Sequence, residues 1–351
     1  GLVGPGPAEG AYVEQRILTR MGDGSLVELT RSEIRSDLED GVAEAVRRAR
    51  VEPLTSAELD VLLEIFASAA RFTAVDIGDE VMLSFDGTGA AQFDRMGGLL
   101  LYEQCLASDS LELFHQDYSY KAVKTLVPHE QMAMKEAQER LTIPVHYGSQ
   151  PDLGRYSEPD GPCLNWSTLL PELKIAEARA AQEQAMELAV EDMVHVAEAL
   201  WEAGADGINF DTAGAAGDAD LLATLRAVET LRARHPDMGI MVGMAAERVL
   251  GTHGELDFHG TRVAGQWPAG QQRLVERAGA TVFGPAVNVN TGRSLAWNTS
   301  RALAMAKPCV AGADIPVHMN VGMGVGGVPM STVVPVDAVS RVSRASVEVL
   351  R

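Results

Sequence analysis

The sequence predicts a parallel α/β fold of the TIM (β/α)8 barrel type, incomplete at its C-terminus and preceded by an N-terminal helical segment. Three observations point to it. After about residue 110, short β-branched runs alternate with longer helical patterns, the grammar of βα units. Two helix-to-strand turns are near copies, Ala203-Gly204-Ala205 before GINF and Ala278-Gly279-Ala280 before TVFG. Glycine there suits the left-handed residue that ends a helix. About six strand-like runs can be counted where a closed barrel takes eight, and the chain stops inside a helical pattern at Val347-Glu348-Val349-Leu350-Arg351. A doubly wound open sheet is the alternative.

In chain order, Gly1–Gly10 reads as a flexible leader. Residues 1–80 read as leader and helical segment, and residues 81–351 as a βα barrel domain lacking its last strands. Thr30–Arg50 carries Ser32 as a cap, then acidic and finally basic residues, the order a helix dipole favours. Thr55-Ser56-Ala57-Glu58 opens a second helix with a capping-box pattern, and Leu59, Leu62, Leu63 and Phe66 form its apolar stripe. The strand candidates are Leu111–His115, Ile143–Tyr147, Gly207–Asp211, Ile240–Met244, Thr281–Gly284 and Ile315–Asn320. Between them, Met186, Val190, Met193, Ala197 and Leu200, then Leu221, Leu222, Leu225, Val228 and Leu231, recur at helical spacing.

The formal net charge of −20 disfavours nucleic acid and anionic membranes as partners. No apolar run reaches the roughly 18 residues of a membrane helix, and no secretory leader is evident. Three scattered cysteines, Cys105, Cys163 and Cys309, offer neither a disulfide framework nor a C-x-x-C pair, which suggests a reducing, cytoplasmic setting and no metal.

In a βα barrel the chemistry lies where strands end. That rule selects His146 and Tyr147, Asn209 and Asp211, Glu247, Asn288 and Asn290, and His318 and Asn320. Glu247, Asp211 and His318 are the candidate catalytic groups; Tyr147, Asn290 and Asn320 are the candidate substrate contacts. Asn and Asp also cap helices and shape loops, so their number at strand ends weighs more than any one of them. Gly322, Gly324, Gly326 and Gly327 formally match G-x-G-x-x-G, but Pro329 and Pro335 interrupt the helix a dinucleotide site needs. They read instead as a loop allowing close approach of a backbone or a large flat ligand. Asp218 and Asp220 form a D-x-D pair at the start of a helix, where a capping role outweighs a metal. Trp267-Pro268 reads as a loop and helix start.

Several segments together resemble the dimethylamine:corrinoid methyltransferases of methylotrophic methanogens and related bacteria. They include Met21–Gly24, Asp117–Lys121, Pro159–Pro162, GADGINFDTAGAAGDAD from Gly204 to Asp220, Val249–Gly254, Val282–Pro285, Ala296–Asn298 and GMGVGGVPM from Gly322 to Met330. The similarity is collinear from about residue 18 to the end. It implies a TIM barrel, a homo-oligomer, and transfer of a methyl group from dimethylamine to the Co(I) corrinoid of a separate protein, in methylamine metabolism and methanogenesis. No cofactor would be bound directly. The glycine loop from Gly322 to Gly327 would face the approaching corrinoid. The family's pyrrolysine lies soon after the segment that matches Val336–Val349 and is absent here, which suggests a truncated, inactive form. Two other readings stand beside this one: a non-catalytic homologue that binds a corrinoid protein, and a TIM-barrel lyase or aldolase. The scarcity of lysine at strand ends weighs against the second.

Overall fold

The computed structural model describes residues 14–68, 123–124, 147–149, 153–205, 207–215, 217–251, 254–322, 324–330 and 335–351. The expected strand Leu111–His115, together with His146 and Cys105, lies outside them.

The N-terminal segment is not purely helical. Strands β1 (Arg16–Arg20) and β2 (Leu26–Thr30) pair antiparallel as a hairpin. Its turn closes with Met21 N–H on Ser25 O and with Gly24 at φ 88°. Both strands are short and largely exposed, so their apolar residues give no run long enough to stand out in the sequence. Helix α1 (Arg31–Ala49) follows, capped by Thr30 rather than Ser32, with Glu33 completing the capping box. Helix α2 (Ser56–Ala67) carries the Thr55–Glu58 capping box that its sequence announces.

The main sheet is built from β3 (Val123–Lys124), β4 (Tyr147–Ser149), β5 (Gly207–Ala213), β6 (Gly239–Met244) and β9 (Val282–Gly284), in that order. β3 is antiparallel to β4; β4, β5, β6 and β9 run parallel. Helices α3 (Trp166–Leu169) and α4 (Ile175–Glu202) lead into β5, α5 (Asp218–Arg234) into β6, and α6 (Pro268–Ala278) into β9. A small hairpin, β7 (Asp257–Phe258) with β8 (Thr261–Arg262), interrupts the connection before α6. After β9 come α7 (Leu295–Gly312) and α8 (Val336–Val349). The expected strand Ile315–Asn320 is reduced to one parallel bridge, Phe283 to Val317. Each parallel strand among the described residues pairs with the next in sequence, without the reversal that marks a doubly wound sheet. Among these residues the sheet does not close into a barrel. No described helix is long and apolar enough to cross a membrane.

Two apolar cores follow from the amphipathic patterns. Ile208, Phe210, Ile240, Val242 and Phe283 project from the sheet toward α4, α5 and α6 and form the first. Ile34, Leu38, Leu62 and Phe66 of α1 and α2 meet Leu303, Met305, Val339 and Val342 of α7 and α8 in the second. Helices α1 and α7 approach closely because position 41 is glycine: a Cβ there would stand 2.3 Å from the Trp297 carbonyl oxygen. The Ser300 hydroxyl crosses this contact to Leu38 O at 2.9 Å.

Candidate functional site

The sheet face away from the helices carries the polar residues. In strand β5 the side-chain period of two puts Ile208 and Phe210 into the core and leaves Asn209 and Asp211 on the opposite face. Across β6 their oxygens converge on Gly243. A Cβ at that glycine would lie 3.2 Å from Asp211 Oδ1 and 3.6 Å from Asn209 Oδ1. On β9 the same face again has glycine, Gly284, whose missing Cβ would meet Gly243 Cα at 3.2 Å and His318 O at 3.5 Å. The register continues to Gly148 of β4, which pairs with Asn209. Gly243 and Gly284 thus stand opposite each other on neighbouring strands, whereas Gly148 shares its register with Asn209 and Met241, two residues earlier.

Asp211 is buried and accepts the Thr212 N–H at 2.7 Å. The Asn209 Oδ1 is buried and has no hydrogen-bond partner among the described residues, an arrangement that costs energy unless something else supplies a donor. Strand β5 bulges at this point: the pairing shifts between Phe210 and Ala213, and Thr212 adopts φ 53°. A β-branched residue with positive φ is strained, and such strain gathers at functional sites. The bulge re-aims the end of β5.

The other expected residues fall in different surroundings. His318 N–H donates to Phe283 O at 2.8 Å, which holds this residue against β9 beside Gly284. Tyr147 pairs with Ile208 and not with Asn209, so the β4 position in register with the site is Gly148. Glu247 follows β6 and forms an ion pair with Arg301 of α7, Oε1 to Nη2 at 2.6 Å, with side chains only 17% and 8% exposed. The second Glu247 oxygen is buried and unpartnered among the described residues. Arg301 also donates to Asn288 O at 3.0 Å and lies over the Trp297 ring. Trp297 in turn bonds Asp40 of α1 at 2.9 Å, so the chain of contacts ties the loop after β6 to the N-terminal helices.

Asn290 shapes a loop: its side chain accepts the Gly292 N–H at 3.0 Å, and Asn298 brackets its backbone. The four loop glycines are buried within this chain, Gly324 against the Met330 side chain. Gly322 pairs with Val325; a Cβ at Gly326 would stand 2.2 Å from Asn320 O, and one at Gly327 2.5 Å from Thr299 Oγ1. Asn320 therefore serves the loop through its carbonyl. Asp218 and Asp220 occupy the first turn of α5, fully buried, whereas the cap itself is Gly217. Their charge suits the helix N-terminus without making a side-chain cap. Trp267 caps α6 and Pro268 begins it, as the sequence suggests.

Burial pushes the Cys309 thiol up to about 12, so at pH 8 it stays protonated. Iodoacetamide should leave Cys309 unmodified in the folded protein and alkylate it in denaturant, as mapped by mass spectrometry. Equal rates in both states would contradict this burial.

Sequence reasoning passed over Arg301, Gly243 and Gly284. The two glycines did carry a signal, since an isolated glycine inside a strand marks a close approach. Nothing local marks Arg301.

These features define a class: a parallel βα protein whose sheet carries Asn209 and Asp211 on the face opposite its helices, near the strands' carboxyl ends. The family comparison is more particular. A dimethylamine methyltransferase family profile matches residues 15–351, and the chain belongs to that family. No solved structure matches it significantly.

Proposed function

We propose that this protein takes a methyl group from dimethylamine and passes it to the Co(I) corrinoid of a separate protein, working as a βα barrel in a homo-oligomer. Membership of the dimethylamine methyltransferase family carries this reading, and the glycine-floored Asn209–Asp211 site supports it. The substrate at neutral pH is dimethylammonium, a small cation with two N–H donors and two methyl groups. Asp211 supplies the opposite charge in a buried setting, where it counts for more than in water. Asn209 Oδ1 accepts a second N–H. Gly243, which sets no Cβ against the two oxygens, leaves room there for a methyl group.

Holding the nitrogen protonated is this chain's contribution to the chemistry. The C–N bond breaks with its electron pair going to nitrogen, and neutral methylamine leaves; an unprotonated substrate would have to expel a far more basic anion. The acceptor, a Co(I) corrinoid, supplies the nucleophile when its carrier protein docks. Glu247 stands apart from this role because Arg301 already neutralises it. Its unpartnered oxygen remains able to take a donor.

The full product of the gene, mixed with its reduced corrinoid protein and dimethylamine, should release one methylamine per methyl transferred, with the matching change in corrinoid absorbance. Gly243→Ala, whose Cβ would stand 3.2 Å from Asp211 Oδ1, should raise KM about tenfold with less effect on the fold. Absence of transfer from dimethylamine under these conditions would overturn the assignment.

A further inference from the structure

The connection between β6 and α6 carries a cleft of about 380 Å³ lined by Arg248, Val249, Leu250, Gly254, Arg262 and Gly265, among others, and by neither Asn209 nor Asp211. We propose that it is a second binding site, for a small phosphate monoester.

Charge accounting supports this first. The chain has a net charge of −20, and most of its arginines meet a carboxylate: Arg20 with Asp337, Arg35 with Glu39, Arg179 with Glu183, Arg226 with Glu187, Arg234 with Glu198. Arg248 and Arg262 do not. Among the described residues neither guanidinium has a hydrogen-bonding or ion-pair partner, and both residues line the same cleft. Two unpaired guanidinium groups in one concave site of an acidic protein repel each other, and an anion between them removes that cost.

Both side chains are exposed and lie along the cleft wall. Arg248 stacks over the Trp267 ring at 5.7 Å and reaches Gly265, where a Cβ would lie 3.8 Å from its Nη2. Arg262 packs on Gly254, which has φ 69° and where a Cβ would stand 2.6 Å from Nη2. Any side chain at Gly254 would displace the guanidinium. The walls are fixed by backbone bonds, Val249 N–H to Gln266 O at 3.0 Å and Gly265 N–H to Val249 O at 2.8 Å. The cleft is of a size suited to a small ligand.

The anion follows from the geometry of the donors. One guanidinium fork satisfies one carboxylate, whereas two forks supply two positive charges and suit a tetrahedral dianion with three free oxygens. The acidic group facing the cleft is Asp218, whose Oδ2 lies beneath Gly251. It is buried, and one carboxylate does not cancel two guanidinium groups.

The test is a titration of the full chain with inorganic phosphate and then methyl phosphate at constant ionic strength. It is followed by calorimetry and by tryptophan fluorescence, because capture of Arg248 alters the cation–π contact with Trp267. Saturable binding is expected, weakened about tenfold or more in Arg248→Gln and in Arg262→Gln. Trp267→Phe should remove the fluorescence response and keep the heat. Acetate at equal ionic strength should give neither. Binding that acetate reproduces, or that survives unchanged in both arginine variants, would overturn the proposal. Because neither arginine touches the Asn209–Asp211 site, the outcome is independent of whether dimethylamine is the substrate.

Discussion

Asp211→Asn is expected to reduce methyl transfer from dimethylamine by about 10²- to 10³-fold, the usual loss when one preorganised electrostatic partner is removed. The substitution preserves shape, removes the charge and turns one acceptor oxygen into a donor. Asp211 is buried at the end of β5, and its Oδ1 overlooks the open floor at Gly243. Without its charge, the site no longer favours the protonated amine, and the leaving group becomes poor. The loss should fall on kcat as well as on KM, because the charge matters most as the C–N bond breaks. Asn209→Leu gives the companion measurement: it should cost less, since it removes a neutral acceptor. Circular dichroism and denaturant unfolding should show both variants folded. If Asp211→Asn turns over dimethylamine within about threefold of the parent, the carboxylate does not hold the substrate.

Arg301→Leu should destabilise the fold by about 3–5 kcal/mol, because it strands Glu247 as an uncompensated charge in a buried position. It also removes a donor from the Asn288 carbonyl and the cation over Trp297. The double variant Glu247→Leu/Arg301→Leu should recover a large part of that loss, since replacing both partners of a buried pair is often nearly neutral. The contrast between single and double variants in urea unfolding tests the pair itself rather than the bulk of either side chain. A single substitution costing less than about 1 kcal/mol would mean that water reaches Glu247 freely enough to screen it.

The alternation of β-branched runs and amphipathic helices was legible residue by residue. Gly207–Asp211, Ile240–Met244 and Thr281–Gly284 all lie where strands β5, β6 and β9 form, and the Thr55–Glu58 capping box opens α2. These features are local: apolar period and cap chemistry depend on neighbours within about four positions. The sequence also placed Asp211 at the end of a strand, in a segment similar to dimethylamine methyltransferases. It did not reveal the N-terminal hairpin, whose strands are five residues each and largely exposed. Nor did it show that Ile315–Asn320 would pair only at Val317.

Tertiary structure alone decided which strand-end residues share a face. Period two puts Asn209 and Asp211 together, but only the register with β6 sets them over Gly243, which β9 meets with Gly284. Only packing could give Glu247 an arginine fifty-four positions away, turn Asn290 into a loop brace, and bury the glycines Gly322–Gly327 against their own chain. The physical reason is the same in each case. Periodicity and capping are short-range and are written in adjacent residues. Register, ion pairing and close backbone approach depend on which distant segments meet, and that is settled by burial of the whole chain at once.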